Sequence, residues 1–124
     1  MLRKIIIAGG RDFNDYTLLK NSCDKILSLA ISAGDEIEII SGTAKGADSL
    51  GERYAKEKGF KLTKFPAKWD EFGKRAGYIR NKEMADYAGE KNALIAFWNK
   101  SSRGTKHMID IAKNKNMHIR IINY

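Results

Sequence analysis

The feature that most restricts this chain is a regular alternation of short apolar runs with segments of helical periodicity. Leu2 to Ala8, centred on Ile5-Ile6-Ile7, has the continuous apolar character of a strand buried on both faces. Leu18, Leu19, Cys23, Ile26, Leu27 and Ala30 then recur at helical spacing. Ile37 to Ser41 reads as a second strand, and Ala47 to Lys58 as a second helix with Leu50, Tyr54, Ala55 and Lys58 on one face, stopped by Gly59. Phe60 to Phe65 gives a third strand, followed by a long connection and a helix near Gly77 to Tyr87. Asn92 to Trp98, Thr105 to Lys115 and Met117 to Ile122 complete a βαβαβαβαβ order. Right-handed crossovers place a helix between successive parallel strands, so the expected fold is α/β. It is a Rossmann-like three-layer α/β/α sandwich around a five-stranded, mostly parallel sheet of order 3-2-1-4-5.

The 124 residues suffice for one such domain, spanning 1–124, and leave no room for a second. The longest apolar run, Ala93 to Trp98, has six residues against the roughly 20 of a membrane span, and the N-terminus has no secretory pattern. A cytoplasmic protein with no membrane partner is expected. One cysteine and two histidines are too few for a structural zinc site, so neither a metal nor another cofactor is predicted.

The net charge of +8 is unevenly placed. Residues 61 to 82 carry seven basic and two acidic groups, residues 100 to 124 six and one, and the remainder of the chain is slightly acidic. Any single lysine here reads most simply as a solvated side chain. Concentration in two segments flanking the third and fourth strands fits a small anionic ligand better than a long nucleic acid, for which the chain has no helix-turn-helix, zinc finger or aromatic interleaving.

Three loops after strands are rich in small and hydrogen-bonding residues: Gly9-Gly10-Arg11-Asp12, Ser41-Gly42-Thr43-Ala44-Lys45-Gly46-Ala47-Asp48, and Ser101-Ser102-Arg103-Gly104-Thr105. A parallel sheet brings the loops after its strands to one edge, where glycine permits close backbone approach and helix N-termini favour anions. The expected crevice lies where the strand order reverses, between strands 1 and 4. Glycines and serines also make ordinary turns, and Asp12 and Asp48 read equally as caps. The loops do not match GxGxxG, GxxxxGK[ST] or GxSxG, and Cys23 lies on an apolar helix face. Dinucleotide dehydrogenase, P-loop and hydrolase-elbow chemistries are therefore disfavoured.

Read in order, Gly9-Gly10-Arg11-Asp12-Phe13, the Ser41 to Asp48 loop, Phe65-Pro66-Ala67-Lys68-Trp69, Gly77-Tyr78-Ile79-Arg80-Asn81-Lys82-Glu83-Met84 and Ser102-Arg103-Gly104-Thr105 carry a resemblance. The sequence resembles the YspA-type, cpYpsA-related branch of the SLOG superfamily, the Rossmann-like group that contains Smf/DprA and the lonely-guy proteins, over about Ile5 to Ala112. The resemblance implies a nucleotide or nucleotide-derived ligand, and a sensor or carrier of that ligand is the expected role. Lonely-guy enzymes cleave an N-glycosidic bond of a nucleoside monophosphate. Arg80 and Met84 match their RKxxM-like segment and Gly104-Thr105 the GT of PGGxGTxxE, but the motif's glutamate position holds Met108. Methionine can neither stabilise a ribosyl cation nor activate water.

The candidate ligand-binding residues are therefore Gly9, Gly10, Arg11, Asp12, Ser41, Gly42, Thr43, Gly46, Asp48, Trp69, Arg80, Asn81, Ser102, Arg103, Gly104 and Thr105. The arginines would pair with phosphate through their planar forks, and Trp69 would stack on a base. Asp48, Asp12 and Arg80 are the catalytic candidates if the protein is a glycosidic hydrolase, with Glu83 a further carboxylate. His107 reads either as a proton donor near the anion site or as an exposed helix residue. A homo-oligomer is left open.

Overall fold

The computed structural model describes residues 1–124. Its strands are β1 (Leu2–Gly9), β2 (Glu36–Ser41), β3 (Lys61–Lys64), β4 (Ala93–Trp98) and β5 (His118–Asn123). The helices are α1 (Tyr16–Ser32), α2 (Ala47–Lys58), the four-residue α3 (Trp69–Phe72), α4 (Ala76–Ala88) and α5 (Arg103–Asn114), with a 3-10 turn at Gly73–Arg75. All strand pairs are parallel, in the order β3-β2-β1-β4-β5. The fold is the expected three-layer α/β/α sandwich.

The apolar run of β1 explains its central place. Ile5 and Ile7 point to the face covered by α1 and α2, where they meet Leu19, Cys23, Leu27, Tyr54 and Ala55. Ile6 and Ala8 point to the other face, among Met84, Ala85, Met108 and Ile109 of α4 and α5. A strand with no polar alternation must be covered on both sides, and each fully buried isoleucine contributes about 1.5–3 kcal/mol through burial. The apolar stripe of α1 holds Cys23 fully buried, where burial pushes its thiol up to about 12. It packs as a small hydrophobe and does not ionise near neutral pH.

Helix ends follow the local sequence, with two departures from expectation. Asp15, and not Asp12, caps α1, accepting the Leu18 N–H at 3.0 Å. Helix α5 begins two residues before Thr105 because Ser102 caps it, accepting the Thr105 N–H at 3.2 Å. Gly59 ends α2 in the left-handed conformation, as expected. The connection before α4 contains α3, too short for a periodic signal. No helix is long and apolar enough to cross a membrane.

Candidate functional site

The strand order reverses between β1 and β4, and the loops following β1, β2 and β4 meet above that point. In the first loop the missing Cβ of Gly10 is what lets Tyr124 in: a side chain there would collide with the Tyr124 hydroxyl. That hydroxyl donates to Asp12 Oδ1 at 2.6 Å, and the Tyr124 ring packs on Phe13 with centroids 4.8 Å apart. Gly46 serves the same loop from the other side. Its φ of +78° suits glycine, and a Cβ would run into the Gly10 carbonyl and lie 2.7 Å from Arg11 backbone atoms.

The β2 loop is held from beneath. Ser41 is buried, donates to Glu52 Oε2 at 2.6 Å and accepts the Thr43 N–H at 3.0 Å. This anchor keeps Thr43 in the left-handed region at φ +63°, a conformation costly for a β-branched residue and often found at functional sites. The Gly42 carbonyl accepts from Arg80 Nη1, and a Cβ on Gly42 would press on that guanidinium at 2.6 Å. Asp48, in the first turn of α2, is 5% exposed and accepts the Ala44 N–H at 3.0 Å. Burial pushes its carboxyl up to about 6, against the opposing pull of the Ala44 N–H and the Arg80 charge. Asp48 therefore exchanges its proton close to neutral pH.

On the third side, Asn99 Oδ1 accepts the N–H groups of Ser101 and Ser102, and the Trp98 indole N–H donates to the Ser102 carbonyl at 3.1 Å. Trp98 thus braces the start of α5. Buried Asn81 joins this edge to α4: its Oδ1 accepts from Arg80 Nε at 3.0 Å, and its amide donates to the Gly104 carbonyl and to His107 Nδ1, each at 3.2 Å. An amide donor on Nδ1 leaves the proton of a neutral imidazole on Nε2, in keeping with the downward shift that burial gives His107. The Tyr78 ring lies 4.4 Å from that of His107. His107 is a half-buried support of Asn81, and its direct role as an anion-site proton donor is not seen in the lining of the cavity.

Two cavities open at this edge. The first, about 390 Å³, lies at the switch point over Met84 and Met108. Of the candidates it receives Gly9, Gly10, Arg11, Asp12, Asp48, Asn81, Ser102, Gly104 and Thr105. Ser102 and Thr105 share a 2.9 Å hydroxyl contact at the N-terminus of α5, and the Cα of Gly104 faces open space. The second, about 510 Å³, takes Gly42, Thr43, Trp69 and Arg80, with Arg11 and Ala44 common to both. Three candidates line neither: Ser41 and Gly46 act behind the loops, and Arg103 is exposed on the first turn of α5. Glu83 is also exposed and outside both cavities.

Sequence reasoning did not single out Lys45, Ala67 or Tyr124. Lys45 and Ala67 line the second cavity, and both sat in quoted motifs without a periodic or chemical signal of their own. Tyr124 was findable in part: it follows β5 and so emerges at the carboxyl edge beside the end of β4, but its reach across to the β1 loop is a matter of tertiary packing.

With this geometry in place, the family can be assigned. The model of the YspA, cpYpsA-related SLOG family matches residues 3–72, which include β1, β2 and the first two loops of the site. The chain belongs to this family. It is also 29% identical over 128 residues to the Gene 61 protein of Mycobacterium phage D29, an alignment covering 99% of this chain and 97% of the phage protein. The family match ends before α4, so Arg80, Asn81 and the α5 N-terminus of this SLOG protein rest on its structure alone.

Proposed function

We propose that this SLOG protein binds a nucleotide-derived, phosphate-containing ligand at the carboxyl edge of its sheet, as a sensor or carrier of that ligand. The observation that carries the reading is the first cavity: it lies at the β1/β4 switch point, where open α/β sheets bind ligands, and it is bounded by Arg11 and the N-terminus of α5. Its volume falls within the roughly 300–1,000 Å³ of small-molecule sites. In this reading Arg11, the Ser102 and Thr105 hydroxyls and the first amides of α5 hold a phosphate. Asp48 and Asn81 face ribose hydroxyls, and Met84 and Met108 provide an apolar floor. Family membership is consistent with such a ligand.

The test is a thermal-shift and calorimetric screen of nucleoside mono- and diphosphates against the wild type and Gly104→Leu. A Cβ at Gly104 meets no heavy atom within 4 Å, so the leucine stands at the rim of the cavity without straining the fold. Nucleotide binding to the wild type, weakened at least tenfold by Gly104→Leu, is the expected outcome. No binding by any nucleotide, or unchanged binding by the variant, overturns the reading.

One observation favours a second reading, hydrolysis of an N-glycosidic bond: Asp48 is a buried carboxyl lining the cavity, and burial pushes it up to about 6, which suits general acid or base work. Asp48 would supply the carboxylate that Met108 lacks. Release of free base by the wild type, abolished in Asp48→Asn while ligand binding persists, would establish it. Tight binding without turnover decides for a sensor or carrier.

A further inference from the structure

The two cavities differ in charge in a way that a single mononucleotide does not use. The charged residues lining the first are one guanidinium, Arg11, and two carboxylates, Asp12 and Asp48. Those lining the second are Arg11, Lys45 and Arg80, with no carboxylate. The first cavity, with Arg11 and the α5 N-terminus set against two carboxylates, suits one phosphate and no more, whereas the second offers only cations. Beside these cations stands Trp69, 49% exposed, a large apolar surface with no core to complete. Arg11 lies over its ring at 5.9 Å, and Trp69 Cη2 and Arg80 Nη2 both lie beside Gly77 in the first turn of α4, 3.6 and 3.7 Å from where a Cβ would stand.

Each part of the second cavity is held in place. Arg80 is tied by the Gly42 carbonyl and Asn81 Oδ1. Asp48 supports its charge through space without entering the cavity. The Thr43 backbone, kept left-handed by Ser41, shapes the floor between Gly42 and Lys45. An anchored guanidinium, an exposed lysine and an exposed indole form a combination suited to a phosphate attached to an aromatic ring.

From these observations, and resting on the nucleotide-binding reading above, we infer that the ligand is two-headed. One nucleoside unit occupies the first cavity with its phosphate between the α5 N-terminus and Arg11, the second phosphate of the bridge lies on Arg11, Lys45 and Arg80, and a second aromatic ring stacks on Trp69. The chemical class is a diphosphate-bridged compound with a ring at each end. Arg11, shared by both cavities, marks the position of the bridge.

The probes are AMP, ADP and diadenosine diphosphate, measured by calorimetry on the wild type, Trp69→Ala, Lys45→Ala and Gly104→Leu. Tryptophan fluorescence of the wild type is compared with that of Trp69→Ala, so that the difference reports Trp69. Trp69 and Lys45 are exposed, so their replacement leaves the core intact. Diadenosine diphosphate should bind at least tenfold more tightly than AMP, with ADP between them. The ratio should collapse to near one in Trp69→Ala and fall severalfold in Lys45→Ala, and only the two-ringed probe should quench Trp69 strongly. AMP binding that is lost in Gly104→Leu, with no advantage for diadenosine diphosphate, overturns the two-headed ligand and leaves the single-cavity reading standing. An unchanged ratio in Trp69→Ala does the same. Failure of all three probes to bind, while another nucleotide of the screen binds, overturns the two-headed ligand alone; failure of every nucleotide overturns both.

Discussion

The β1 and β2 loops on one side of the site and the α5 N-terminus on the other are both glycine-bearing, yet they use glycine in opposite ways. Around Gly10, Gly42 and Gly46 the space a side chain would need is already taken, by Tyr124, Arg80 and the neighbouring loop. Around Gly104 it is empty. Glycines on the first side let protein pack on protein and so fix Arg11, Asp12, Asp48 and Arg80. The glycine on the second side leaves the mouth of the cavity clear. A glycine-rich loop is thus evidence of close approach, and only the structure says whether the approaching group is a ligand or the chain itself.

The sharpest way to break this contrast is a paired substitution. Gly46→Ala should cost about 3 kcal/mol or more, since it adds a left-handed side chain to a backbone collision. Gly104→Ala should be neutral or raise stability by up to about 1 kcal/mol, as alanine is the better helix former. Urea unfolding of both variants checks this, and equal losses would erase the distinction between the two sides.

A second test concerns Asp48, which the tightly packed side buries. Its carboxyl is raised to about 6 in the folded protein, so the folded state holds this proton more firmly than the unfolded chain does. The resulting stabilisation is complete below an ordinary aspartate value of about 4 and is lost as pH rises through about 6. Asp48→Asn removes that dependence. Relative to the wild type it should gain of order 2–3 kcal/mol at pH 7.5 and nothing below pH 4. Unfolding measured for both proteins from pH 4 to 8 isolates this contribution from the other carboxylates, several of which are shifted downward by lysine or arginine partners.

The smallest effect belongs to the partly solvated rim of the same side. Tyr124→Phe keeps the ring on Phe13 and removes only the hydroxyl that Asp12 accepts, so it should cost about 0.5–1 kcal/mol. Urea unfolding of the variant beside the wild type reads this loss. A larger loss would mean that Tyr124 supports more of the loop than this one bond.

The architecture was legible because its causes are local or general. Ile5-Ile6-Ile7 announces a strand covered on both faces, the helical spacing from Leu18 to Ala30 announces the layer above it, and the strand order is the one common to such sheets. The gathering of Gly9, Asp48 and Thr105 at one edge follows from parallel strands alone. What remained hidden involves partners distant in the chain. Ser41 carries no mark that Glu52 will claim its hydroxyl, nor Asn81 that it will span Arg80, Gly104 and His107. The short α3 that displays Trp69 has too few residues for periodicity to detect.

By itself, the sequence determined a parallel α/β sandwich and the edge at which its loops meet, because apolar periodicity and chain handedness act through neighbours and through the sheet as a whole. Tertiary structure decided how that edge is divided. It separated a chamber with two carboxylates from one lined by three cations, retired Arg103 to the surface, and turned most of the glycines toward protein. The physical reason is that charge and free space at a site depend on which side chains enter the same few ångströms, and packing settles this between residues far apart in sequence.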